Sequence, residues 1–418
     1  MTSFFNFEKR LRTVVPLTHP AFDIKGSKGH DLSGRKIILC VTGSIAAVET
    51  VKLARELMRF GADVQAVMSP SAQKIIHPQA LQYGTGHEVI TEITGKIEHV
   101  ELCGKREDKA DLLLIAPCTA NTIGKIAAGI DDTAITTFAT TAIGSGMPII
   151  IVPAMHVSMY SHPIVVKNIK RLEELGTEFM HPRMEEGSAK IASIDDIIIR
   201  VLRVLGRNEL RGRKVLITAG GTAESIDPIR ILTSRSSGKT GLELAREAYI
   251  RGADVIKLVQ RGHRTYSDIK SIHVESAQQM TDAVLKELKK GFDVLICPAA
   301  ISDYTVDKSP NKTYFGKELT LSLKKFPKMI QLVRKKYPDL TIIGFKAETN
   351  VPVKELVSRA RSMMDKHKLD LVVANDVGKG GIGEDENEVY IISKDITHFK
   401  GSKRSIAKNI IDSLVEVL

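Results

Sequence analysis

The chain has 418 residues and a mass of 45.9 kDa, which at roughly 150 residues per domain predicts two or three domains. Hydrophobic residues at 43% and charged ones at 26% exclude a disordered, collagen-like or disulfide-stapled protein, and with no long apolar run or leader-like N-terminus a cytoplasmic chain without a membrane span is expected. The net charge of +11 favours anionic partners, whether nucleotides, phosphorylated metabolites or nucleic acid, and the scattered Cys40, Cys103, Cys118 and Cys297 imply a reduced compartment and no structural zinc.

In chain order, residues 1–33 read as an extension with little periodicity. Gly34-Arg35-Lys36 leads into the apolar run 37–42, which meets glycine and is followed by Ala47, Val51, Ala54 and Met58 at helical spacing. Gly61 then caps that helix and Ala62-Asp63-Val64 opens the next strand. Further strands are expected over 110–117 and 149–152, and a helix over 194–205. The pattern then restarts. Gly212-Arg213-Lys214 precedes the run 215–218, Leu242, Ala245 and Tyr249 mark a helix, Gly252-Ala253-Asp254-Val255 opens a strand, and 292–298 echoes 110–117. Apolar runs alternating with helices predict parallel sheets covered on both faces, so the fold class is α/β with two doubly wound, Rossmann-like domains, at 34–206 and 213–418, and a linker at 207–212. Gly34 to Gly61 spans 27 positions and Gly212 to Gly252 spans 40, leaving 13 extra residues at about 221–234 as the place to seek the second domain's special function.

Ligands in such sheets bind at the carboxyl ends of strands. Gly43-Ser44-Ile45 offers a helix start suited to phosphate, but it is not a GxGxxG fingerprint, which disfavours a simple NAD domain. Gly220-Gly221-Thr222 and Ser236-Ser237-Gly238-Lys239-Thr240-Gly241 form an anion cradle rather than a P-loop. Residues 116–122 and Pro153-Ala154-Met155-His156 put polar groups at strand ends, and His99 precedes the 110–117 strand. No nucleophilic triad or carboxylate pair stands out, so the residues alone predict two nucleotide-scale anion sites.

These segments together resemble a bifunctional family of coenzyme A biosynthesis, phosphopantothenoylcysteine decarboxylase fused to phosphopantothenate-cysteine ligase, over nearly the whole chain and closest to its archaeal members. The resemblance rests on GSIAA, His99, APCTANT and PAMHVSMY in the first half. In the second it rests on ITAGGT, Ile226-Asp227-Pro228 with Arg230, SSGKTG, AAISDY, GFKAET and Ala374-Asn375-Asp376. It implies a flavodoxin-like first domain binding FMN through Gly43, Ser44, Ile45, Ser69, Thr119 and Asn121. There the substrate's cysteine thiol is oxidised, CO2 leaves the thioaldehyde, and the electrons return to the ene-thiol, with no net redox change. His99 is then the active-site histidine beside the substrate carboxylate, and His156, where the family has asparagine, grips that carboxylate next to Met155. The family's flap cysteine has no counterpart in 182–191, and Lys190, Cys103 and Cys118 are the open substitutes.

The second domain is implied to join 4'-phosphopantothenate to cysteine through an acyl-cytidylate made from CTP, with Mg2+ on the triphosphate. Carry-over places the nucleotide against Gly238, Lys239, Ala299, Asp303, Lys312, the turn of Pro327, Lys328, Met329 and Ile330, Phe345 and Lys366, with Lys317 a competitor to Lys312. Ser234, where the family has asparagine, and Asn375 lie toward the substrate. Asp303 and Lys312 join His99 and His156 as catalytic candidates. Family assembly implies a homo-oligomer in which trimeric flavin domains and dimeric ligase domains close into a dodecamer. The competing readings are a ligase with an inactive flavin domain and a flavin-binding regulatory protein. Nucleic-acid binding is disfavoured by the absence of basic runs.

Overall fold

The apolar runs become central strands of two separate sheets, buried on both faces. The computed structural model describes residues 19–185, 188–262, 265–312, 320–381 and 383–418. Two compact units divide at Ile198/Ile199.

In the first unit β1 (Lys36–Val41), β2 (Asp63–Met68), β3 (Leu112–Cys118), β4 (Ile149–Pro153) and β6 (Glu178–Phe179) form a parallel sheet in the order β2-β1-β3-β4-β6, with the short β5 (Met155–His156) outside it. This is the flavodoxin-like order, with its switch point between β1 and β3. Ile37, Ile38, Leu39, Leu113, Leu114 and Ile151 are wholly buried, as strands covered by helices on both faces must be. The strand ends are laced together: Ser69 N–H donates to Val41 O (3.1 Å), Thr42 N–H to Pro117 O (3.2 Å) and Ala154 N–H to Cys118 O (3.1 Å).

Residues 1–18 of the extension lie outside the described residues. The rest of it packs on this unit, with N–H groups of Gly26, Lys28 and Leu32 donating to the carbonyls of Met58 (3.0 Å), Arg59 (2.9 Å) and Phe60 (2.9 Å). Leu32 is fully buried, and Lys28 and Arg59 flank the nearly buried Glu56 at 2.5 and 2.8 Å. Burial pushes the Glu56 carboxyl up, but hydrogen bonds and charge from Lys28 and Arg59 outweigh it and hold it below the usual glutamate value. A lowered folded-state value contributes stability above the unfolded pKa that is lost as pH falls through the folded one. Glu56→Gln is therefore expected to cost about 1–2 kcal/mol at pH 7. Urea titrations from pH 7 to pH 3 should show the variant and the parent converging on the acid side.

The second unit holds an eight-stranded sheet. Its strands are β9 (Lys214–Ala219), β12 (Val255–Gln260), β13 (Lys270–His273), β14 (Val294–Ile296), β17 (Thr341–Glu348), β18 (Leu371–Asp376), β19 (Glu386–Ile392) and β20 (Ile396–Ser402), in the order β13-β12-β9-β14-β17-β18-β19-β20. The first six are parallel, and Val215 of β9 sits between Ile256 and Val294. β19 and β20 add an antiparallel edge to the expected parallel sheet: β19 runs against β18, and β20 returns along β19 because residues 393–395 form too short a connection for a crossover. The 13 extra residues fold as a hairpin of β10 (Ala223–Ser225) and β11 (Ile231–Thr233), and β15 (Tyr304–Val306) pairs with β16 (Leu323–Lys325) in a second small antiparallel sheet. Within the β10–β11 hairpin Asp227 is buried and accepts from Arg230 Nη1 (2.5 Å) and the N–H groups of Ile229 and Arg230 (both 2.8 Å). Among the described residues no helix is long and apolar enough to cross a membrane.

Candidate active sites

At the first unit's switch point, the turn after β1 packs directly on the turn after β2. A Cβ on Gly43 would lie 2.4 Å from Ser71 Cβ, so the close approach requires glycine. Ser44 starts the short helix Ile45–Glu49 with extended backbone, and its hydroxyl makes no capping bond. Ile45 beside it is 77% exposed. Ser69 is buried and its hydroxyl accepts from Ala72 N–H (3.2 Å). Thr119 caps the helix Ala120–Ala128 through Thr122 N–H (3.4 Å), and its own N–H donates to Thr42 Oγ1 (3.1 Å). Asn121 follows, exposed, in the first turn. The carboxyl ends of β1, β2 and β3 thus carry the predicted Gly43, Ser44, Ile45, Ser69, Thr119 and Asn121, with helix starts after β1 and β3 that suit an anionic group.

His99 occupies the first turn of the helix Glu98–Cys103. The entry residue Ile97 has φ +50°, a left-handed conformation costly for a β-branched side chain. Glu98 holds the entry by accepting from both the N–H (3.0 Å) and the hydroxyl of Thr94. His99 Nδ1 is buried with no hydrogen-bond partner among the described residues. A buried imidazole nitrogen left this way is costly unless a ligand atom meets it.

The segment 182–191 turns back as a hairpin, β7 (Arg183–Glu185) with β8 (Ser188–Lys190), and β8 pairs with β5 so that Met155 faces Ala189 and His156 faces Ser188. The Pro-Ala-Met-His segment and the cysteine-free flap are therefore one antiparallel sheet following β4. His156 is exposed and caps the turn Val157–Tyr160, its Nδ1 accepting from Ser158 N–H (3.3 Å) and meeting Ser158 Oγ at 2.6 Å. Nδ1 is thereby fixed as the acceptor and Nε2 as the nitrogen that carries the proton. Lys190 is half-buried in the hairpin. All four cysteines are buried, and desolvation pushes Cys103 up to about 12 and Cys118 higher.

In the second unit a cavity of about 840 Å3 opens at the carboxyl ends of β9 and β14. Gly238, Lys239, Ala299, Asp303, Pro327, Lys328, Met329, Ile330, Phe345, Lys366 and Asn375, all expected from sequence, line it. Gly238 enters the helix Lys239–Ile250 at φ +77° and sits against Gly220, while Ala300 N–H donates to Gly220 O (2.9 Å). Lys328 pairs with Asp303. The described lining carries Lys239, Lys328, Lys346, Arg359, Lys366 and Lys403 against one acid, Asp303. Outside the lining Glu348 pairs with Lys346 (3.0 Å) and Arg359 (2.7 Å), Glu355 with Arg359 and Asp385 with Lys239 (2.6 Å), so the six cations meet four carboxylates and a net positive charge remains for an anion of nucleotide size.

Lys346, Arg359, His367 and Lys403 were missed. Arg359, Ser362, Met363, Lys366 and His367 fall on one face of the helix Val353–His367, a periodicity the sequence displays. Burial, then Lys366 and Lys328, push the His367 imidazole down.

Two predicted residues stand apart. Lys312 is exposed and outside the cavity lining, and Lys317 lies outside the described residues. Ser234 is exposed, with its Oγ 2.2 Å from where a Cβ on Gly221 would be, so it packs on the glycine turn. Gly220, Ser236, Ser237 and Gly238 also wall a neighbouring cavity of about 660 Å3 containing Arg261 and His273.

The Flavoprotein family model matches residues 25–206, and the model of the DNA/pantothenate metabolism flavoprotein C-terminal domain matches residues 210–418. The coenzyme A biosynthesis bifunctional protein CoaBC of Thermococcus kodakarensis is 49% identical over 404 residues, covering 94% of this chain and 98% of that protein. The protein of the same name from Methanocaldococcus jannaschii is 41% identical over 408 residues, covering 97% and 99%. A crystal structure of the C-terminal domain of a CoaBC protein is 27% identical with a TM-score of 0.42, covering 50% of this chain and 97% of that one. With both halves matched and nearly the full length shared, the chain belongs to the CoaBC family of bifunctional coenzyme A biosynthesis enzymes, pairing phosphopantothenoylcysteine decarboxylase with phosphopantothenate-cysteine ligase.

Proposed function

We propose that residues 34–206 carry the decarboxylase with FMN, that residues 213–418 carry the ligase with CTP and Mg2+, and that 207–212 link them behind an extension at 1–33. The observation that carries the ligase reading is the cavity of about 840 Å3 with six lysines and arginines against one acid. Lys239, Lys328 and Lys366 neutralise the triphosphate, Mg2+ bound with it would supply further charge neutralisation, and Phe345 offers an aromatic face to the base. The carboxylate of 4'-phosphopantothenate attacks the α-phosphorus and releases pyrophosphate. The cysteine amine then attacks the acyl carbon, forming the amide and releasing CMP.

The first unit's residues fit FMN: an uncapped helix start at Ser44 for the phosphate, exposed apolar Ile45 beside it, and a buried His99 Nδ1 with no partner among the described residues. When bound, FMN supplies a reversible two-electron acceptor for the substrate thiol. Thr119 and Asn121 orient the cofactor, and His99 holds the substrate carboxylate and manages its proton. His156 Nε2–H donates to the same carboxylate until CO2 leaves. Ile45 and Val48, 77% and 50% exposed, supply apolar surface for the contact between copies that a dodecamer of trimers and dimers needs.

The purified full chain is expected to be yellow and to convert 4'-phosphopantothenate, cysteine and CTP into 4'-phosphopantetheine, followed by mass with each component omitted in turn. A colourless protein that FMN cannot reconstitute overturns the decarboxylase reading. Failure to form phosphopantothenoylcysteine when CTP is present overturns the ligase reading, and a monomer by light scattering overturns the assembly.

A further inference from the structure

We propose that Lys403 is a further polyphosphate-binding residue of the ligase cavity, acting beside Lys239; this rests on the nucleotide reading of that cavity. The sequence places Lys403 where a lysine is doubly unfavourable. It is the first residue of the 15-residue helix Lys403–Val417, where the macrodipole opposes a cation, and it is only 6% exposed. An apolar residue would fill this position more cheaply, since Ile406, Ala407 and Ile410 of the same helix are buried behind it.

The ammonium has three donors but makes one hydrogen bond among the described residues, to the carbonyl of Glu384. Lys403 lines the cavity together with Lys239, the first residue of the helix Lys239–Ile250. Lys239 Nζ donates to Gly383 O (3.2 Å) and pairs with Asp385 (2.6 Å), whose side chain is 88% exposed. Burial and the charge of Lys239 lower the Lys403 pKa, and Asp385 and Glu384 offset this only in part. Two lysines lining one cavity, one of them deeply desolvated and lowered in pKa by the other's charge, are relieved by an anion bridging both. A tripolyphosphate chain presents such charge, and a nucleoside presents none.

The test is calorimetric titration of CTP, inorganic tripolyphosphate and cytidine into the full-length flavoprotein, using the parent, Lys403→Met and Lys403→Arg. Lys403→Met should weaken CTP and tripolyphosphate alike by ~10–100-fold, from loss of a charge-assisted hydrogen bond, and leave cytidine unchanged. Lys403→Arg should stay within about threefold, since it keeps the charge. A Met variant that binds tripolyphosphate like the parent, or that loses cytidine equally, overturns the assignment. Should Lys403→Met not fold, the parent and Lys403→Arg decide it alone. Parental affinity for tripolyphosphate should fall more steeply between pH 8 and 10 than that of the Arg variant, and parallel curves overturn the proposal. A parent that binds neither CTP nor tripolyphosphate overturns the nucleotide reading and this assignment together. Binding by the parent with an indifferent Met variant overturns this assignment alone.

Discussion

Replacing His99 with glutamine is expected to slow decarboxylation by about 10²–10⁴-fold while ligation in the same protein continues, so that phosphopantothenoylcysteine accumulates. Glutamine keeps a polar group of similar reach but cannot take up or release a proton. The expectation rests on how the residue is held. Its helix begins from the left-handed Ile97, with Glu98 bound back to Thr94, and Nδ1 is buried without a partner among the described residues. A position that accepts both strain and an unmet polar atom is more readily explained by function than by stability. The measurement is release of CO2 from supplied phosphopantothenoylcysteine beside CTP-dependent ligation, with flavin content as the check on folding. A decarboxylation rate within threefold of the parent, at full flavin occupancy, would remove His99 from the chemistry.

The core strands were legible because parallel strands covered on both faces cannot alternate. The runs 37–42 and 215–218 are buried throughout, and 110–117 and 292–298 are buried but for Asp111, Asp293 and Pro298, as their composition implies. The glycine turns were legible for a related reason, since Gly43 and Gly238 stand where backbone meets backbone. The 13-residue insertion showed as a count but not as a hairpin, because three-residue strands are too short to display a period. The β5–β8 pairing was hidden for another reason. It joins Met155–His156 to Ser188–Lys190 across more than thirty positions, and only the tertiary structure closes that gap. In the second unit's cavity the motif residues were expected from resemblance, whereas Arg359, His367 and Lys403 sit on helices whose charges read as an ordinary solvated face. Lys403 did carry a signal in its place at a helix start, where a lysine is unfavourable.

Gly241→Ala is expected to lower CTP-dependent ligation by about 100-fold or more and leave decarboxylation of supplied substrate unchanged. The added methyl carbon would lie 2.5 Å from Ala219 Cβ, 2.9 Å from Thr218 O and 3.1 Å from Ala219 Cα. Two of these are backbone atoms at the end of β9 and the third is a Cβ fixed to that backbone, so no flexible side chain can yield. The helix Lys239–Ile250 must move away from the sheet instead. Overpacking of this kind costs about 1–3 kcal/mol, a part of the unit's stability, but the displacement matters more for activity. Lys239 and Gly238 lead that helix and line the cavity, so both shift relative to Ala299 and Asp303 across it. A misplacement of about 1 Å at reacting groups can cost ~10²-fold in rate. The contrast between activities separates this local cause from general damage, because the first unit has its own sheet and core. Ligation and CO2 release assayed on one preparation give the ratio directly. Equal loss of both would point to failure of the whole chain to fold, and equal retention would show that β9 yields where its buried packing says it cannot.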